Sequence, residues 1–162
     1  MKREIVIEHV SLEIHTGFDH FTYQFEKALG ILMPAALVSL GATPASVVRY
    51  LDSVRDGNSL MIYNLVAGED LTHTATGRKI KQYQLGNPAI MRRMTNEQAG
   101  VGLYMPIQLL VYENEPGKVM AEYDRPASQC AQFKNPALLA DSLTLENKLI
   151  ALIKLADESL TN

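Results

Sequence analysis

Between Glu4 and His15 apolar and polar side chains alternate, but the alternation changes phase. Ile5 and Ile7 share one parity, whereas Val10, Leu12 and Ile14 share the other. A one-residue slip sends every side chain to the opposite face of a strand. The pattern therefore predicts a strand with a bulge near Glu8–His9, which returns all five apolar residues to one side. Glu4, Val6, Ser11, Glu13 and His15 then form a half-exposed face. From Phe18 to Leu29 the period becomes helical, with Phe18, Phe21, Phe25 and Ala28/Leu29 on one stripe and Asp19, Glu26 and Lys27 off it. Ala45 to Val54 reads as helix again, followed by a turn at Asp56-Gly57-Asn58. Leu60 to Val66 is a short apolar run suited to a buried strand. After a polar loop from Ala67 to Gly77, Arg78 to Leu85 is a more polar strand whose lysines suit an exposed sheet edge.

Turn and cap residues punctuate the second half. Gly86-Asn87-Pro88 is a helix start: asparagine caps, and proline is tolerated at the first helical position. That helix is expected to run to about Met94. Ile107–Glu113 and Lys118–Asp124 make a hairpin around Asn114-Glu115-Pro116-Gly117, where Pro-Gly fits the centre of a type II turn. Asn135-Pro136 repeats the capping signature. The final helix carries Leu145, Leu149, Leu152, Ile153, Ala156 and Leu160 on one stripe. The order of elements predicts an α+β fold, a mainly antiparallel sheet packed by helices.

Length and composition narrow the class. The chain has 162 residues, of which 47% are hydrophobic and 20% charged, with a formal net charge of −3. A chain of that mass buries about 69% of its unfolded surface, enough for one domain core. Residues 1–162 are accordingly read as a single domain, with 31–57 as an apolar helical insertion. One cysteine excludes an internal disulfide framework and a thiolate zinc cluster. No charge lies between Lys27 and Arg49, but Gly30, Pro34, Gly41 and Pro44 would break a spanning helix there. The charged start, Met-Lys-Arg-Glu, does not fit a signal peptide, and a cytoplasmic location is expected.

Several segments in this order resemble domain-of-unknown-function family 302. They are Thr16-Gly17-Phe18-Asp19, Gly86-Asn87-Pro88, the run Val101 to Ile107, Val111-Tyr112-Glu113 and Glu122-Tyr123-Asp124-Arg125-Pro126. The resemblance implies a β-α-β(4)-α-like sheet with a terminal helix, similar to the TATA-binding-protein architecture, and often a homodimer. It implies no reaction. Two features depart from the family pattern: the long region from Ile31 to Gly57, and Met105-Pro106 where the family often has Leu-Pro.

Charge is distributed unevenly. Residues 71–96 hold Arg78, Lys79, Lys81, Arg92 and Arg93 and no acid, giving local net charges of −4, +5 and −4 along the chain. This basic block surrounds the Gly86-Asn87 turn, and amides at a helix N-terminus favour an anion. Arg92 or Arg93 would add charge to such a site; the ordinary alternative is a set of solvated surface residues. His73, in the loop Glu69 to Thr74, is the best acid/base or ligand histidine, against an exposed loop residue. His9, His15 and His20 complete no zinc pattern. Cys130 reads as a small, partly buried thiol. Tyr63, Tyr83, Tyr104, Tyr112 and Tyr123 fall on or beside strands. Met33, Met61, Met91, Met94, Met105 and Met120 would suit an adaptable cavity or ordinary core. Overall acidity and the lack of aromatics within the basic block argue against nucleic acid.

These readings converge on a domain that binds a small, partly apolar anion at Gly86, Asn87, Arg92 and Arg93, with His73 and Met105 nearby. Haem is one ligand of that description, with His73 or a methionine on iron. An enzyme using His73 as general base and a ligand-free interaction protein docking through the apolar insert are the alternatives.

Overall fold

A computed structural model of the chain describes residues 2, 4–31, 60–67 and 79–158. The elements in chain order are β1 (His9–Ile14), α1 (Phe18–Ala28), β2 (Gly30–Ile31), β3 (Met61–Ala67), β4 (Ile80–Gly86) and α2 (Pro88–Glu97). A short 3-10 turn, Ala99–Leu103, leads to β5 (Ile107–Glu115), β6 (Lys118–Asp124), α3 (Pro126–Cys130) and α4 (Pro136–Glu158). The sheet order is β1-β6-β5-β4-β3-β2. Every pairing is antiparallel except that of the two-residue β2 with β3. The expected α+β class, a mainly antiparallel sheet packed by helices, is the observed one.

Register explains which side chains are inside. Val10, Tyr123, Leu109 and Tyr83 lie opposite one another across four strands, as do Leu12, Ala121 and Val111. Residues directly opposite in a sheet share a face. Tyr83, Leu109, Val111, Ala121 and Tyr123 are all buried, so this face is the core side. The stripe of α1 lies against it: Phe21 and Phe25 are fully buried, and the Phe25 ring meets Tyr83 edge-on at 5.4 Å. Leu145, Leu149, Ile153 and Ala156 of α4 join the same cluster. The hairpin turn follows from its residues. Gly117 has φ 81°, the left-handed value that the third position of a type II turn requires, beside Pro116 at the second.

Two expectations are corrected. The first strand begins at His9, not Glu4, and Val6 and Ile7 are exposed. Its partner β6 ends at Asp124, opposite His9, and Pro126 then opens a helix. The backbone before His9 is held there instead: Glu8 N–H donates to Ser128 Oγ at 3.0 Å, and Arg125 N–H donates to Glu8 O at 2.9 Å. The second correction concerns the strand expected at Arg78–Leu85: β4, Ile80–Gly86, is an interior strand between β3 and β5. Lys81 falls on the core-side row opposite Val111, and its Nζ reaches Glu26 Oε1 of α1 at 2.7 Å. The lysine thus pairs with a helix rather than guarding an edge. The expected helix at Ala45–Val54, the Asp56–Asn58 turn and almost all of the 31–57 insertion lie outside the described residues.

Candidate functional site

The helix start foreseen as an anion site is closed by its own side chain. Asn87 is only 2% exposed, and its Oδ1 accepts a hydrogen bond from Ile90 N–H at 3.0 Å. That occupies the position an anion would take at a helix N-terminus. Gly86 is packed as tightly: a Cβ added there would lie 2.4 Å from Met91 Sδ and 3.2 Å from the Tyr63 ring. Of the arginines, Arg92 is exposed on α2, whereas Arg93 is engaged with Asp141 of α4, Nη2 to Oδ1 at 2.5 Å. Lys79 pairs with Asp19. The basic block is therefore spent largely on ion pairs with acidic residues from elsewhere in the sequence.

The other candidates scatter. His73 and Arg78 lie outside the described residues. Met105 is a core residue, 6% exposed, as are Met94 and Met61, while Met91 is partly buried against the core. Met61, Met91, Met94 and Met105 therefore pack the core, whereas Met120 is half-buried outside that cluster and Met33 lies outside the described residues. Cys130 is buried, and that burial pushes its thiol pKa up. His9 sits beside Asp124, Nδ1 to Oδ1 at 2.8 Å, and this contact raises the imidazole pKa. Among the described residues no group of three or more His, Cys, Asp or Glu is placed to hold a metal ion.

What the fold does assemble is a groove between β1 and α4. It encloses about 400 Å³, within the range of small-molecule sites. Val10, Leu12 and Ile14 of β1, Tyr123 of β6, and Ile150 and Ile153 of α4 give it apolar walls. A larger depression of about 740 Å³ beside Glu4–Val6 and Phe133 has no buried residue in its wall.

Each end of the groove is polar. At one end Asp157 Oδ1 accepts from the backbone N–H of His15 at 2.8 Å and of Thr16 at 2.9 Å, while Oδ2 meets His15 Nδ1 at 2.9 Å. Burial pushes the Asp157 carboxyl up, but the His15 ring and these N–H donors together hold it below its ordinary value. At the other end Arg125 Nε donates to Glu146 Oε1 at 2.7 Å, and its Nη1 also engages Glu8. Glu146 is 4% exposed. Its second oxygen, Oε2, is the one buried side-chain polar atom without a hydrogen-bond partner among the described residues.

Arg125 and Glu146 were not among the residues singled out from the sequence. Arg125 stood inside the Glu122–Pro126 segment that carried the family resemblance, but had no assigned role. Glu146 had a signal of its own. It is four residues after Ser142 and three before Leu149, both buried, so a carboxylate interrupts the apolar stripe of α4.

Comparison with known proteins agrees with this geometry at the level of the fold. The crystal structure of an uncharacterized conserved protein, DUF302, from Bacillus stearothermophilus is similar with a TM-score of 0.63 and 16% sequence identity. The match covers 91% of this chain and 97% of that one. A family model described as "Domain of unknown function DUF302" matches residues 69–156. No curated protein matches the chain.

Proposed function

This chain belongs to the DUF302 family, and from that premise we propose that it is a small-molecule-binding domain whose ligand lies between β1 and α4. The observation that supports this is the groove itself. Its walls are chiefly aliphatic, its volume is about 400 Å³, and an ionisable pair sits at its buried end. Apolar walls with a few fixed polar groups are the usual makeup of a small-molecule site. The proposal keeps the partly apolar ligand expected from the sequence and moves it away from Gly86-Asn87, where Asn87 serves its own helix. It assigns no reaction.

A neutral apolar fluorophore such as N-phenyl-1-naphthylamine tests the reading. Its emission should rise on mixing with the protein. Ile150→Trp, which fills the groove from a half-buried position on α4, should remove most of that rise. An enhancement that survives Ile150→Trp unchanged would place the dye elsewhere and sink the proposal.

A further inference from the structure

Resting on the groove as the binding site, we infer that its ligand carries a cationic hydrogen-bond donor, an ammonium group, that is received by Glu146. An ionised carboxylate has two oxygens that accept and none that donates. Oε1 of Glu146 is taken by Arg125, while Oε2 is buried with no partner. A buried acceptor left unmatched is costly, and a donor arriving from the groove removes that cost. The site is thus prepared for N–H or O–H and not for another oxygen anion.

The surrounding charges select the cation. Arg125 is shared between Glu146 and Glu8, so its positive charge is already matched on both sides. Asp157 at the far end is engaged with His15, and Glu13 on the rim is exposed, where solvent screens its charge from the buried end. Lys154, the remaining cation of the groove wall, is exposed on α4. A carboxylate or phosphate head placed beside Oε2 would meet like charge in a poorly solvated setting, whereas an ammonium would form a charge-assisted hydrogen bond. The apolar walls then hold a short hydrocarbon body.

Three probes of equal chain length separate the terms: hexylammonium, 1-hexanol and hexanoate, titrated against the whole chain and followed by the amide resonances of His15, Thr16 and Ile150. Hexylammonium should bind about tenfold more tightly than hexanoate, the size expected of one charge-assisted hydrogen bond, with hexanol between them. Glu146→Gln, similar in shape but uncharged, should remove most of that preference and leave hexanol nearly unchanged. Glu13→Gln should preserve the preference. If hexanoate binds as well as hexylammonium, if the preference outlasts Glu146→Gln, or if Glu13→Gln abolishes it, the ammonium assignment is wrong while the groove remains a binding site. If none of the three probes moves a groove resonance, the binding proposal falls with it.

Discussion

The β4–α2 junction and the β1–α4 groove are both places where a strand meets a helix, yet they are finished differently. At the junction Asn87 supplies the acceptor for Ile90 N–H, and Met91 and Tyr63 crowd Gly86 so closely that an added Cβ would displace the Met91 side chain. At the groove a carboxylate is half matched by Arg125, and aliphatic walls stand apart by the size of a small molecule. The first region spends its polar groups on its own stability. The second keeps one in reserve, and unmatched polarity inside an apolar cleft is a better pointer to function than a well-formed cap.

The largest effect should come from breaking the groove's internal pair. Arg125→Met leaves Glu146 buried with neither oxygen matched, and should lower the thermal midpoint more than any other change here. Adding Glu146→Leu should recover most of the loss, because an apolar residue of similar volume needs no partner. A double mutant no more stable than Arg125→Met alone would show that the guanidinium acts through Glu8 instead. Next is Gly86→Ala, expected to cost about 1–3 kcal/mol in chemical denaturation through the clash with Met91. Met91→Ala in the same chain should relieve part of it. Asn87→Ala should cost about 1 kcal/mol, the ordinary value of a lost helix cap, without changing affinity for groove probes. A loss of probe binding in that variant would return attention to the helix start.

The smallest effect sharpens the groove's outer end. His15 is raised above 6.5 by its hydrogen bond to Asp157, so its contribution is complete below 6.5 and fades as pH rises through the folded value. Asp157 is held below 3.8 against its burial, so its contribution is complete above 3.8 and fades as pH falls through the folded value. The pair therefore adds most between about pH 4 and 6.5. Thermal melts carried from that range to well above pH 6.5 should show a shallow decline on the alkaline side that His15→Ala removes. A decline of equal slope in the variant would assign it to another group, with His9 beside Asp124 the first to test.

Local patterning carried much of the architecture. Phe18, Phe21 and Phe25 specify α1 at helical spacing, and Pro116-Gly117 and the two Asn-Pro pairs mark a turn and two helix starts where they occur. These signals act within a few residues. Sheet order does not: Lys81 in β4 suits an edge by its sequence, and its place in an interior strand makes sense only once Glu26 is known to lie above it. The groove is further from view, since it depends on Arg125 meeting Glu146 and on the stripe of α4 facing β1. Glu146 within an apolar stripe was the one visible trace, and it points to a buried charge without saying what stands opposite.

Asp157 reaches back 142 residues to His15, and β1 pairs with β6 across more than half the chain. Contacts of such sequence separation close large loops, at a higher entropic cost than local units such as the β5–β6 hairpin. The groove therefore exists only where those long-range contacts are made. An occupant that binds there holds only the finished chain, and it raises stability by mass action on the step that joins the first strand to the last helix.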